Sequence, residues 1–265
     1  MTPAQSLSKW FIIKPAAHTE RVRFFALPYA GGGASVFHGW ERLLPPHVGM
    51  YAVQTPGREN RISEAPYTSM PSLVEALAEA MLPYLDMPFI LFGHSLGARV
   101  AFEVARALRK SWGIEPHHLI VAASRGPHTP EPRPLHHLPD KALITELKRF
   151  SRTPQAVLTN PELTGLFLPM LRADFTVDET YRLRESSPLH CPITAFGGRS
   201  DPETTRDELI TWSRYTSSCF TLKMVDGDHF FILKNKENLL SKIATLIHEE
   251  VYLLRTDRHA AATTP

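Results

Sequence analysis

Short apolar runs, each closed by glycine, proline or a polar cluster, alternate along this chain with longer stretches in which apolar residues recur every three or four positions. Runs of the first kind are Val22-Arg23-Phe24-Phe25-Ala26-Leu27, Met50-Tyr51-Ala52-Val53-Gln54, Phe89-Ile90-Leu91-Phe92 and Leu119-Ile120-Val121-Ala122-Ala123. Ile193-Thr194-Ala195-Phe196-Gly197 and Phe220-Thr221-Leu222-Lys223-Met224-Val225 repeat the pattern, and all six predict strands. Helical spacing over 37–44, 69–85, 96–110, 205–215 and 235–254 predicts the helices between and after them. In the helix at 69–85, Leu73, Leu77, Ala80, Met81 and Tyr84 form one apolar face. Ala98, Ala101 and Ala105 give the helix at 96–110 a slim face that can lie close on a sheet. Strand and helix in this order predict a mainly parallel sheet covered on both faces.

The rhythm breaks at Arg125. Five prolines between Gly126 and Pro139 read as a linker, and apolar residues then return at helical spacing to about Glu185 with no strand among them. A helical insertion over about 126–186 of a single domain spanning 1–265 is most simply a lid over a site. The Ala/Thr-rich stretch 255–265 is expected to be a frayed tail.

The candidate chemistry lies where the strand Phe89-Ile90-Leu91-Phe92 meets the helix that follows, at Gly93-His94-Ser95-Leu96-Gly97. Strand, Gly-x-Ser-x-Gly and helix in succession predict a nucleophile elbow, a tight turn that lifts Ser95 Oγ above the sheet. The turn also aims the Leu96 N–H, at a helix N-terminus, at an oxygen under attack. After the first strand comes Pro28-Tyr29-Ala30-Gly31-Gly32-Gly33. No Gly-Lys-Ser/Thr follows to make it a phosphate loop. In a hydrolase this loop supplies the second oxyanion donor, assigned here to the Ala30 N–H.

A serine hydroxyl needs a base, and the base needs a partner to fix its tautomer. His94 adjoins Ser95 and is expected to project elsewhere, while His117, His118, His136 and His137 read as exposed loop residues and His248 as a helix residue. His229 follows the strand ending at Val225, and Asp201 follows the strand ending at Gly197, so a parallel sheet carries both to the edge that holds Ser95. Asp226 and Asp228 are rival acids. The order Ser95, Asp201, His229 is that of an α/β-hydrolase fold.

Composition narrows the setting. The chain has 265 residues, a net charge of +2 and two cysteines, which argue neither for a nucleic-acid or membrane partner nor for a disulfide framework or metal site. The short run Trp10-Phe11-Ile12-Ile13 is too brief for a secretion signal, and a cytoplasmic location is expected.

With these residues placed, the chain resembles the type II (external, stand-alone) thioesterases of nonribosomal peptide and polyketide assembly lines, and is similar to the medium-chain thioesterase of animal fatty acid synthase. Leu27-Pro28-Tyr29-Ala30-Gly31-Gly32, Gly93-His94-Ser95-Leu96-Gly97-Ala98 and Gly227-Asp228-His229-Phe230 carry the likeness. Pro56-Gly57-Arg58-Glu59 and Leu168-Pro169-Met170-Leu171-Arg172-Ala173-Asp174-Phe175 are its most specific parts. Leu96 stands where the family usually has methionine, and Phe150-Ser151-Arg152-Thr153-Pro154 replaces a glycine-rich stretch. The resemblance implies hydrolysis of acyl groups from the phosphopantetheine arm of acyl or peptidyl carrier proteins, clearing stalled or mis-primed carriers. It implies no cofactor of the enzyme's own, and a monomer is expected. Arg125, Arg133, Arg149 and Arg152 are a candidate basic rim for an acidic carrier. Carboxylester hydrolysis, release of a finished product or medium-chain acid, and a non-catalytic carrier-binding role are the competing readings.

Overall fold

Along Val22–Leu27, Phe24 and Ala26 point to one side and Phe25 and Leu27 to the other, and all four are buried. A strand apolar on both sides needs cover on both faces. The computed structural model, which describes residues 9–149, 160–184 and 187–248, provides it. Strands β1 (Phe11–Lys14), β2 (Val22–Leu27), β3 (Val48–Val53), β4 (Phe89–His94), β5 (His118–Ala122), β6 (Ile193–Gly198) and β7 (Phe220–Val225) form one sheet. Their order is β1-β3-β2-β4-β5-β6-β7, parallel throughout except where β1 runs against β3.

Helices α1 (Met70–Met81) and α2 (Leu96–Trp112) pack on the face that carries Phe25, Leu91 and Leu119. The opposite face, with Phe24, Ile90 and Ile120, is covered by Phe37, Trp40 and by Leu239, Leu240 and Ile243 of a helix over 236–248. Several elements differ from the pattern reading. Trp10-Phe11-Ile12-Ile13 contributes β1, an edge strand too short to announce itself. In place of the helix expected over 37–44, the chain forms two short 3-10 turns, Ala34–Phe37 and Trp40–Arg42, separated by Gly39 at φ 81°. Helix α1 stops at Met81 and gives way to a 3-10 turn, Leu82–Tyr84, that contains Pro83. Residues 205–215 split into a short helix, Arg206–Ile210, opened by a Thr205–Glu208 capping box, and a 3-10 turn, Thr211–Tyr215. The expected end of the last helix at 254 and the tail 255–265 lie outside the described residues.

Between β5 and β6 the described residues contain α3 (Asp140–Arg149) and α4 (Pro161–Glu179). Asn160 caps α4 by accepting from the Glu162 and Leu163 N–H groups. Leu135, Leu143, Leu147, Leu168 and Leu171 form a small separate core there, and Ala30 of the loop after β2 packs against it. Phe150-Ser151-Arg152-Thr153-Pro154 lies outside the described residues.

Candidate active site

All the parallel strands deliver their C-terminal ends to one edge, and the candidate residues gather there. Ser95 joins β4 to α2 with φ 55° and ψ −120°, a conformation costly for a residue with a side chain. Its N–H donates to the Ala122 carbonyl (2.8 Å) and its carbonyl accepts from the Ala98 N–H (3.0 Å), which hold the turn. The flanking glycines are needed for contact. A Cβ on Gly93 would stand 2.1 Å from the Gly97 carbonyl oxygen, and one on Gly97 would stand 2.3 Å from the Leu27 carbonyl oxygen. Neither neighbour is a side chain that can swing away. Gly97→Ala is therefore expected to cost about 3 kcal/mol of stability, read as a lower urea midpoint at unchanged m-value.

His229 Nε2 lies 3.2 Å from Ser95 Oγ, and His229 Nδ1 lies 3.0 Å from Asp201 Oδ2. The Asp201 side chain is fully buried, and its Oδ1 accepts from the Glu203 (2.8 Å) and Thr204 (3.3 Å) N–H groups. An ionised carboxylate only accepts, so Nδ1 of His229 carries the proton and Nε2 is left to accept from the serine hydroxyl. The two rival acids are engaged elsewhere. Asp226 is exposed and pairs with Arg199, while Asp228 accepts from Lys234 Nζ (2.6 Å) and the Phe230 N–H (3.0 Å).

Among the histidines, His94 does point away from Ser95, as expected, but into a structural task. Its fully buried ring donates from Nε2 to the His229 carbonyl (2.8 Å), bracing the loop that carries His229. Burial, reinforced by the nearby His229 ring, holds the His94 pKa well below its ordinary value. Because the unfolded chain binds this proton more readily than the folded one, stability falls as pH drops below about 6.5, by up to about 1.4 kcal/mol per pH unit. A His94→Gln variant is expected to show a flatter midpoint between pH 5 and 7 in urea titrations. His118 is no loop residue: it opens β5, is buried, and meets Thr194 Oγ1 at 2.9 Å. His136 pairs with Glu179 (2.6 Å), and His248 lies on the last helix, bonded to the Ala244 carbonyl.

Leu96 is the first residue of α2, so its N–H belongs to the turn that has no acceptor within its own helix. In the loop after β2, the Gly31 N–H donates to Asp174 Oδ2 (2.7 Å) and the Gly32 N–H to the Tyr29 carbonyl (2.9 Å). Both are therefore spent away from the site.

A cavity of about 70 Å³ opens onto Ser95 and His229, lined further by Ser124, Arg125, Phe175 and Glu203. Arg125 does not fit the expected basic rim. It is largely buried, and its guanidinium is taken up by Glu208 Oε1 (2.9 Å), by Glu131 and by the Glu203 carbonyl. Arg133 is half-exposed and 3.5 Å from Glu203, Arg149 is the last residue of α3, and Arg152 lies outside the described residues. Among the described residues, no group of three or more His, Cys, Asp or Glu could hold a metal ion, and no helix is long and apolar enough to cross a membrane.

Residues whose place could not be read from the sequence surround the loop after β2. Arg58 forms a bidentate pair with Asp174 of α4 (2.7 Å to each oxygen), Arg99 pairs with Asp178 (3.0 Å), and Gln54 accepts from the Ala34 N–H (2.7 Å). The signal available was charge in apolar or glycine-rich company, which marks a buried pair without saying with whom.

A thioesterase domain family model matches residues 23–247. The chain is 41% identical over 246 residues to a protein named linear gramicidin dehydrogenase LgrE of Brevibacillus parabrevis, covering 91% of this chain and 94% of that one. It is 40% identical over 217 residues to thioesterase PikA5 of Streptomyces venezuelae, covering 82% and 77%. Among solved structures it is similar to YbtT, a type II thioesterase from the yersiniabactin nonribosomal peptide/polyketide pathway, with a TM-score of 0.83, 30% identity and coverage of 91% and 99%.

Proposed function

This chain belongs to the thioesterase domain family, and from that premise we propose that it cleaves acyl groups from the phosphopantetheine thioester of acyl or peptidyl carrier proteins, removing short groups that block an assembly line. The observation that supports it most is the continuous contact from Asp201 through His229 to Ser95. His229 Nε2 takes the Ser95 proton as Oγ attacks the thioester carbonyl. The resulting oxyanion is held by the Leu96 and Ala30 N–H groups, and His229 then protonates the leaving thiol. Water, activated by the same imidazole, releases the acid from the acyl-serine. These steps call on no cofactor of the enzyme's own.

The redox activity in the name of the gramicidin relative is not carried over. In this chain the glycine loop after β2 already has the Asp174 carboxylate on its Gly31 N–H. Carriers loaded with acetyl, long-chain acyl and aminoacyl groups, followed by intact-protein mass spectrometry, test the reading. Short and aminoacyl carriers are expected to lose their group fastest. Release confined to long chains would replace editing by product release, and a preference for plain oxygen esters would replace both.

A further inference from the structure

The two most distinctive stretches of the sequence, Pro56-Gly57-Arg58-Glu59 and Leu168-Pro169-Met170-Leu171-Arg172-Ala173-Asp174-Phe175, take no part in the steps above, yet they meet. Arg58 and Asp174 are both buried, and their bidentate pair brackets a single peptide segment. Asp174 Oδ2 accepts the Gly31 N–H (2.7 Å) while Arg58 Nη1 donates to the Gly32 carbonyl (2.9 Å). The adjoining loop is clasped from the same side, with Glu59 Oε1 accepting from Ser35 Oγ (2.5 Å) and N–H (3.3 Å). Helix α4 presses on the same point, because a Cβ on Gly31, whose φ is +82°, would stand 3.0 Å from Leu171 Cδ1.

A buried ion pair adds little net stability, since desolvation of two charges costs several kcal/mol each. What such a pair does well is fix geometry: two parallel hydrogen bonds allow one orientation only. Ala30 is the residue immediately before the bracketed segment.

From this we infer that Arg58 and Asp174 are positioning residues that set the Ala30 N–H in line with the oxyanion, so that the oxyanion hole is complete only while α4 is seated. The inference rests on the reading of Ala30 as a donor. It divides the lid in two. The C-terminal half of α4 is fastened by Asp174 to Arg58 of the loop after β3 and by Asp178 to Arg99 of α2. Towards its N-terminus, Leu163 and Leu166 are exposed. Substrate entry is then governed from the N-terminal half, and release of the C-terminal half would switch the hole off.

The test is Asp174→Asn, in which one of the three bonds to the carboxylate becomes a donor facing a donor. Three readouts are taken on folded protein: kcat and KM for a small acyl thioester, the pH midpoint of kcat/KM, and the rate at which an organophosphonate ester labels Ser95. The expected result is a fall of about 10–100-fold in kcat, less than the roughly 10²–10³-fold of a removed oxyanion donor because the N–H is displaced and not lost. KM stays within about threefold, the pH midpoint of kcat/KM is unchanged, and labelling slows in the same ratio as kcat. Arg58→Lys, which keeps a buried cation but cannot span Asp174 and the Gly32 carbonyl together, is expected to reproduce the pattern at smaller size and serves if Asp174→Asn does not accumulate. A lower melting temperature with kcat and labelling within about twofold would overturn the inference and leave a merely structural pair. So would a shifted pH midpoint, which would place the effect on His229. Labelling of Ser95 does not require thioester turnover, so a wild-type protein that labels but spares thioesters would sink the proposed function while still testing the pair.

Discussion

Exchange of Ser95 for alanine is expected to lower kcat for carrier-thioester hydrolysis by about 10⁴-fold or more, the effect typical of removing the nucleophile from a serine–histidine–carboxylate site. The size follows from what is lost. Without Oγ there is no acyl intermediate, and water must attack the thioester directly with only the oxyanion donors and His229 in place. Little else should change. Alanine occupies less space than serine, the strained φ of 55° remains, and the 2.8 Å bond from the residue 95 N–H to the Ala122 carbonyl is a backbone contact. Affinity for the loaded carrier should therefore stay within a few-fold, so that the variant holds substrate without turning it over. Stopped-flow hydrolysis and carrier binding by fluorescence anisotropy, measured on the same preparation, check both halves. A variant that retained a tenth of the wild-type rate would remove Ser95 from the chemistry.

That Ser95 could be singled out from sequence has a physical cause. The elbow is a local device: two glycines are demanded because an added Cβ would stand 2.1 and 2.3 Å from backbone carbonyl oxygens, and both lie within two residues of the serine. Asp201 and His229 were readable at longer range because a parallel sheet sends every strand end to one edge, and each follows a strand that its apolar run announces. Other features depend on contacts that no local pattern encodes. Edge strand β1 is four residues long and has Ile12 in solvent, so neither length nor alternation marks it. The 3-10 turns at Ala34–Phe37 and Trp40–Arg42 share the spacing of one amphipathic helix until Gly39 takes φ 81°. His118 looked exposed because charged and polar neighbours precede it, whereas strand register places it opposite Ile90 in the sheet interior. Arg58 and Asp174 lie 116 positions apart, and only the docking of α4 reveals that each answers the other. The same holds for Arg125: two acceptors from a distant segment, Glu208 and the Glu203 carbonyl, join the nearby Glu131 to turn an apparent surface cation into an internal tie.

Asp201→Asn should cost nearly as much as loss of the serine, about 10⁴-fold in kcat, the cost typical of this exchange in serine–histidine–aspartate sites. The surroundings of the carboxylate determine why. Its Oδ1 already accepts two backbone N–H groups, from Glu203 and Thr204, and its Oδ2 faces His229 Nδ1 at 3.0 Å. Asparagine can satisfy the two N–H donors only by turning its carbonyl oxygen to them, which leaves its NH₂ group against Nδ1. The imidazole then answers with its other tautomer, lone pair on Nδ1 and proton on Nε2, and Nε2–H can no longer receive the Ser95 proton 3.2 Å away. The fold should survive, because every buried polar atom around residue 201 still has a partner. Nitrogen-15 NMR of the histidine ring reports the tautomer, and steady-state hydrolysis between pH 6 and 9 reports the rate. Raising the pH is not expected to restore activity, since the defect lies in where the proton sits and not in how many are bound. An Asp201→Asn variant with the Nε2–H tautomer and near-normal turnover would show that the base acting on Ser95 is not His229.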